Sequence, residues 1–196
     1  MHKIIGGKYK NHLLPMVKQR LGEKACRPST SKLREALFSI LTSGAFYGNN
    51  IFDNAKVIDL FCGTGALGLE AMSRGAQMLT AVDCNKSALD AIFDFALKLD
   101  IQAQVCCYKQ KIKRLEKSLI RYDVVFLDPP YLHNYITNIL HDLVALDWLN
   151  ESATIVVEAS KKEAVALPAQ LEIIKDKYYG ATRLLILQLN QPFAAR

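Results

Sequence analysis

The sequence lacks the cysteine spacing of a metal site or a disulfide scaffold. Its five cysteines, Cys26, Cys62, Cys84, Cys106 and Cys107, form no CxxC pair and no His–Cys spacing typical of zinc. We therefore expect reduced, mostly buried thiols and no metal ion. The sequence also has no apolar run of about 18 residues and no apolar stretch near its start, so we expect no membrane span, no signal peptide and a cytoplasmic location.

What is present is a regular alternation of strand and helix patterns from residue 57 onward. Apolar runs predict strands at 57–60, 79–83, 102–108, 123–127, 153–159, 171–179 and 182–189, and helical periodicity predicts helices at 66–76, 86–99, 112–119 and 136–146. Such alternation is typical of an α/β, doubly wound, mainly parallel sheet of the Rossmann-like class. The last two strands are joined only by Gly180 and Ala181, so they should form an antiparallel hairpin.

A shorter region precedes this pattern and carries the excess of positive charge. Residues 1–56 contain ten basic and three acidic residues, whereas the whole chain of 196 residues has a net charge of +6. Gly6 and Gly7 indicate a turn in an arm or strand pair, and residues 31–41 place Leu33, Leu37 and Leu41 on one helical face. We therefore divide the chain into a basic N-terminal arm and helix, 1–50, and a main domain, 51–196, and expect a polyanionic partner for the first.

A glycine loop follows the first strand of the main domain. The residues from Asp59 to Gly68 include Gly63, Gly65 and Gly68 at the spacing GxGxxG, and Asp83 ends the next predicted strand twenty residues after Gly63. This pattern predicts a site for a cofactor that contains adenosine, with Asp83 on the ribose. NAD(P) and S-adenosylmethionine both fit, although the Asp59 carboxylate would repel a pyrophosphate and attract a sulfonium or ammonium group.

A second motif, Asp128-Pro129-Pro130-Tyr131, follows the predicted strand 123–127. Proline fixes its own φ and disfavours helix at the residue before it, so the chain should leave the strand in a stiff, extended turn. Ligands of open α/β sheets bind at this end of the strands. A carboxylate, donor-free carbonyl groups and an aromatic ring there suit a planar base with an exocyclic amino group.

With both motifs, the chain resembles the S-adenosylmethionine-dependent amino-methyltransferases. It is more specifically similar to the bacterial 16S ribosomal RNA guanine-N2 methyltransferase family, the RsmD family. The matching segments are KIIGGKYK at the start, RPSTSKLREALFSIL at 27–41, the glycine loop, DPPY, IVVE at 155–158 and KYYGATRLLIL at 177–187. The resemblance implies methyl transfer to the N2 amino group of a guanine in 16S ribosomal RNA, within a partly or fully assembled small ribosomal subunit, by an enzyme expected to be a monomer.

The resemblance also implies roles for individual residues. The catalytic candidates are Asp128, Pro129, Pro130 and Tyr131; those for the cofactor are Asp59, Phe61, Gly63, Thr64, Gly65, Asp83 and Gln110; those for RNA are Lys3, Lys8, Lys10, Arg27, Lys32 and Arg34. The sequence departs from the family after the third strand, where residues 108–111 contain no acid of the kind usual near the adenine, so that either Gln110 or the backbone would contact the adenine. Arg27 and Arg34 have an alternative role as partners of Glu35 or other acids.

Two other functions are consistent with parts of the sequence. A DNA adenine-N6 methyltransferase shares the DPPY motif, but it usually needs a target-recognition domain for which this chain has no spare length. An NAD-dependent dehydrogenase, or a nucleotide-binding module without catalysis, would use the glycine loop, but neither function would explain the DPPY motif.

Overall fold

The computed structural model describes residues 3–16, 31–43, 50–130 and 135–190. They form one seven-stranded sheet in the spatial order β3-β2-β1-β4-β5-β7-β6. The strands are β1 (Lys56–Leu60), β2 (Met78–Asp83), β3 (Val105–Lys109), β4 (Tyr122–Leu127), β5 (Leu149–Ser160), β6 (Leu171–Tyr179) and β7 (Thr182–Leu189). The helices are α1 (Ser31–Thr42), α2 (Ala66–Ser73), α3 (Lys86–Lys98) and α4 (Tyr135–Ala145), with a short 3₁₀ turn at Gln102–Gln104.

Strand directions confirm the predicted class of sheet. Strands β1 to β5 pair in parallel, whereas β7 pairs antiparallel with both β5 and β6. The chain moves outward from β1 to β2 and β3, then returns to place β4 on the other side of β1. The carboxyl ends of β1 and β4 therefore flank a topological switch point, which is where open α/β sheets bind ligands.

Helices cover both faces of this sheet. One face packs against the first three helices through buried side chains such as Leu37, Leu69 and Ile92, and we call it the α2 face. The opposite face packs against α4 through Ile139 and Leu140, and we call it the α4 face. Among the described residues, no helix is both long enough and apolar enough to cross a membrane.

One predicted helix, 112–119, is wrong. The residues between β3 and β4 are irregular, and two contacts replace the bonds of a helix: the backbone N–H of Leu115 donates to Asp142 Oδ2 at 2.8 Å, and Trp148 Nε1 donates to the Glu116 carbonyl at 2.8 Å. A helix would also have placed the like charges of Lys113 and Lys117 four residues apart on one face. The predicted strand 102–108 likewise begins later, at Val105, because the 3₁₀ turn precedes it.

The N-terminal arm is fixed to α2 by a buried carboxylate. Glu70 is fully buried and accepts hydrogen bonds from the backbone N–H groups of Ile5, at 2.7 Å, and Gly6, at 2.8 Å, as well as from Arg74 Nε at 2.9 Å. The arm closes on itself through a single antiparallel bridge between Lys3 and Leu13. Its position is therefore set by directed hydrogen bonds to one turn of α2.

Gly7 lies so close to Ser73 of α2 that a larger residue in its place should detach the arm. Its φ of +74° is unfavourable for other residues, and a Cβ added there would overlap the Ser73 carbonyl oxygen, which accepts from Lys8 N at 2.7 Å. We expect Gly7→Ala to lower the free energy of unfolding by about 2–4 kcal/mol in urea titrations. The matched variant is Gly180→Ala, where φ is +61° and an added Cβ would have no atom within 4 Å beyond its chain neighbours. The free energy of unfolding should therefore fall by only about 1 kcal/mol. Equal losses would show that the contact with Ser73 contributes nothing.

Candidate active site

The glycine loop connects the carboxyl end of β1 to the start of α2. Asp59, 2% exposed, accepts a hydrogen bond at Oδ2 from the backbone N–H of Gly68 at 2.9 Å, which fixes the first turn of α2 against β1. A Cβ at Gly68 would lie 2.5 Å from Leu79 Cδ1 and 3.1 Å from Asp59 Oδ2. The third glycine of the motif is therefore needed for close packing of helix on strand.

Asp83 joins the end of β2 to the same loop. Its Oδ2 accepts from Gly63 N at 2.9 Å and its Oδ1 from Asn85 N at 2.8 Å, and Asn85 in turn caps α3 by accepting from Ser87 N and Ala88 N. A carboxylate has about four acceptor positions, so Asp83 keeps capacity for further donors such as ribose hydroxyl groups. Gln110 N donates to the Asp83 carbonyl at 2.9 Å, which places Gln110 directly beside this acid.

Phe61 adopts an unusual backbone conformation inside the loop. Its φ is +63°, a region that bulky residues rarely occupy, and strained residues of this kind concentrate at functional sites. Its ring lies 6.0 Å from the ring of Tyr135, the first residue of α4. The pair forms an aromatic wall between the glycine loop and the helix that follows the DPPY motif.

Asp128 lies immediately after β4, at the edge that β1 also reaches. Its backbone N–H is 3.5 Å from the Leu60 carbonyl, so the turn begins level with the end of β1. Asp128 is partly buried, Pro129 is buried and Pro130 is exposed, while Tyr131 lies outside the described residues. The structure thus brings the acidic end of the second motif against the glycine loop.

Three carboxylates meet on the α2 face of this edge. Asp59 pairs with Phe126 of β4, and Asp128 comes two residues after Phe126, so both carboxylates point to the same face of the sheet. Val157 of β5 pairs with Leu127, which sets Glu158 level with Asp128. Glu158 is 3% exposed. The sequence predicts Glu158 at the end of the fifth strand near the ligand edge and leaves open whether it is functional or orients a neighbour. The strand order adds that it lies next to Asp128.

The closeness of these groups changes their protonation. Burial raises the pKa of Asp59 to about 7, opposed by the Gly68 hydrogen bond and reinforced by the charges of Asp83 and Glu158. Burial, and then the charges of Glu158 and Asp59, hold the pKa of Asp128 well above its usual range. A positively charged ligand would favour the ionised forms of both acids, so the edge is electrostatically suited to a cation.

Cys62 takes no part in this acid cluster. It is 8% exposed, its N–H donates to the Val82 carbonyl at 3.1 Å, and burial raises the pKa of its thiol. Cys62, Cys84, Cys106 and Cys107 are free thiols, and Cys26 lies outside the described residues. Because Cys84 and Cys106 are exposed and Cys107 is half-buried, the expectation of mostly buried thiols is wrong for the described cysteines. Within the described ranges no group of three or more His, Cys, Asp or Glu side chains could hold a metal ion.

Most of the residues expected to bind RNA are exposed lysines. Lys3, Lys8, Lys10 and Lys32 are exposed, whereas Arg27 lies outside the described residues. Lys8 is bonded to the last residue of α2, a helix of eight residues that begins at the site edge, so it lies about 12 Å along α2 from the site. Lys8 and its neighbour Lys10 could therefore contact only a ligand that extends well beyond the reacting base.

Arg34 departs from the expectation of a phosphate contact. It is 1% exposed, and its Nη2 donates to the Lys3 carbonyl at 2.7 Å. Burial lowers the pKa of its guanidinium, while the charges of Glu70 and Glu35 act in the opposite direction. Arg34 is therefore a structural link between α1, the arm and α2, because a charge buried this deeply is not accessible to a phosphate.

The chain is similar to several known methyltransferases. The chain is 33% identical to an uncharacterized methylase of Rickettsia prowazekii, over 97% of this chain and 98% of that protein. It is 28% identical to ribosomal RNA small subunit methyltransferase D of Haemophilus influenzae, over 95% of this chain and 93% of that protein. Among solved structures, it resembles a putative methyltransferase of Escherichia coli with a TM-score of 0.78 and 25% identity, covering 96% of this chain and 97% of that one.

A family model gives the assignment. The model described as "Conserved hypothetical protein 95" matches residues 2–188, which include the arm, both motifs and the closing hairpin. The chain therefore belongs to the Conserved hypothetical protein 95 family.

Proposed function

We propose that the protein transfers a methyl group from S-adenosylmethionine to the N2 amino group of a guanine in 16S ribosomal RNA. The observation that carries this proposal is the position of Asp128 beside Asp59 and the glycine loop at the switch point. The family membership and the relatives named small subunit methyltransferase D support the choice of ribosomal RNA. The relatives also favour it over a DNA methyltransferase or a dehydrogenase.

The residues present fit the cofactor. Asp59 supplies a buried negative charge for its cationic groups, Asp83 supplies acceptors for its ribose, and Gly63, Thr64 and Gly65 bring backbone close to it. Phe61 lies within the glycine loop and Gln110 lies beside Asp83, where they would contact the amino acid end and the adenine respectively. When bound, S-adenosylmethionine supplies an electrophilic methyl group carried on a sulfonium.

Asp128 and the Pro129 carbonyl act on the guanine. The N2 amino group is a poor nucleophile because its lone pair is delocalised into the ring. Two oxygen acceptors in the DPPY turn would hold its two hydrogens and direct the lone pair out of the ring plane, and the ionised Asp128 would take up the proton that the amine loses. Tyr131 would stack on the base, which must leave its RNA stack to enter the site.

The same proposal covers the context of the reaction. We infer that the substrate is a partly or fully assembled small ribosomal subunit in the cytoplasm and that the enzyme acts as a monomer. The exposed lysines of the arm, Lys3, Lys8 and Lys10, and Lys32 of α1 would bind RNA phosphates around the target, with Arg27 as a further candidate.

Methylation of isolated subunits tests this function. Small subunits from a bacterial strain that lacks the protein would be incubated with the enzyme and isotopically labelled S-adenosylmethionine, and the RNA would be digested for mass spectrometry. We expect label in N2-methylguanosine at one position. Label in N6-methyladenosine, or complete guanine-N2 methylation of the subunits before the enzyme is added, would contradict the proposal.

A further inference from the structure

A second concentration of positive charge lies inside the main domain, between β3 and β4. Residues 109–121, which we call the basic tract, contain six basic residues and one acidic residue. The net charge does not reveal this tract, because residues 1–56 account for the whole positive excess of the chain and the rest of the sequence is nearly neutral on average.

The backbone of the basic tract follows a fixed path over α4. Ile112 and Leu115 are 2% and 8% exposed and pack on the α4 face. Asp142 of α4 accepts from Arg114 Nε at 2.8 Å and from Leu115 N at 2.8 Å. The tract is therefore ordered before any ligand arrives, which reduces the entropy lost on binding.

Four lysines of this ordered segment remain available. Arg114 is paired with Asp142 and Arg121 with Asp147, but none of the ion pairs found among the described residues includes the exposed Lys109, Lys111, Lys113 or Lys117. The only acidic side chain in the tract is that of Glu116. Tyr108, directly before the tract, is 57% exposed and offers a ring on which a base could stack.

The position of the basic tract relates it to the site. It begins beside Asp83, through the bond from Gln110 N to the Asp83 carbonyl, and then runs along the α4 face. The arm and α1 lie on the α2 face, where Ile4 and Leu37 belong to the other core. The arm and the tract thus carry positive charge on opposite faces of the sheet. The tract starts at the site edge with Lys109 and Lys111 and reaches the opposite edge near Glu116, whose carbonyl accepts from Trp148.

We propose that residues 109–121 form a second RNA-binding surface that starts at the site edge, so that ribosomal RNA contacts both faces of the sheet. This proposal rests on the proposed function for the identity of the polyanion. Lysines act as point charges that bind phosphates without reading sequence, so the tract would position the RNA while the DPPY turn selects the amino group.

Neutralising three lysines tests this surface. The triple variant Lys111→Gln, Lys113→Gln, Lys117→Gln should bind small-subunit RNA roughly 10- to 100-fold more weakly near 0.1 M salt, and the slope of log affinity against log salt should fall by about 2. The matched control is Lys56→Gln, Lys86→Gln, Lys98→Gln, which removes the same charge at exposed positions outside the tract. Binding is measured by fluorescence anisotropy, with S-adenosylhomocysteine affinity and melting temperature recorded for each variant.

The outcomes separate this proposal from the proposed function. If both triple variants show the same RNA affinity and salt slope, the basic tract is an ordinary solvated surface and the inference fails. A change in oligomeric state of the tract variant alone, measured by sedimentation, would make the tract a contact between copies and would also overturn it. If wild-type protein binds the RNA through the tract but methylates no guanine, the inference stands and the proposed function fails.

Discussion

Replacing Asp128 by asparagine should lower the rate of methyl transfer by roughly 10²–10⁴-fold while changing cofactor affinity little. Asparagine keeps the size of aspartate but replaces one acceptor oxygen by an NH₂ donor, which would face the hydrogens of the guanine amino group. It also removes the base that takes up the released proton. Asp128 lies after β4, whereas the cofactor contacts expected of Asp59 and Asp83 come from β1 and β2.

Single-turnover methyl transfer and calorimetry with S-adenosylhomocysteine separate the two effects. Asp123→Asn is the matched control, since Asp123 is in the same strand but at the opposite edge, where it accepts from Lys56 N at 2.8 Å. The control should retain nearly full methyl transfer. Normal activity of Asp128→Asn, or a parallel loss of cofactor binding, would contradict the division of roles between the two motifs.

Local pattern accounts for much of the fold because the central strands of this sheet are apolar on both faces. Buried runs such as Val124–Leu127 have few alternatives to a central parallel strand, and the turn at Gly180 is too short for a parallel crossover. The two motifs then define the site edge, since the carboxyl ends of parallel strands share one edge. The candidate site could be predicted to this extent from the sequence.

The parts that could not be predicted depend on contacts between distant residues. The basic tract is not helical because Asp142, 27 residues after Leu115, accepts the Leu115 N–H. Arg34 is buried because the arm and Glu70 enclose it, and charge counting along the chain treats it like any exposed cation. Glu158 joins the acid cluster through strand order, which the pattern of residues does not specify.

Cofactor affinity should depend on pH through Asp59, and Asp59→Asn should remove that dependence. With a pKa raised to about 7, the Asp59 carboxyl is mostly neutral at pH 6 and mostly ionised at pH 8. A ligand with a cationic amino group binds the ionised form more strongly. We therefore expect wild-type affinity for S-adenosylhomocysteine to fall by about tenfold between pH 8 and pH 6, whereas the variant should bind more weakly and change less between the two, because only the other acids of the cluster then titrate.

The stability of the ligand-free protein should show the opposite trend. Because folding raises the pKa of Asp59 above its ordinary value of 3.8, its favourable contribution is complete below about pH 4 and is lost as pH rises through 7. As the pH rises from 4 to 8, the wild type should therefore lose up to about 4 kcal/mol of unfolding free energy that Asp59→Asn does not lose.

Urea titrations of the ligand-free protein measure the free energy of unfolding across this pH range, and calorimetry measures the affinity for S-adenosylhomocysteine. Asp123→Asn again serves as the control, because it removes a carboxylate from the far edge of the sheet. A wild-type affinity that is flat from pH 6 to 8, together with an unchanged stability difference, would mean that Asp59 is ionised throughout. The pKa of the Asp59 carboxyl would then not be raised by burial, and the predicted coupling between its protonation and cofactor binding would fail.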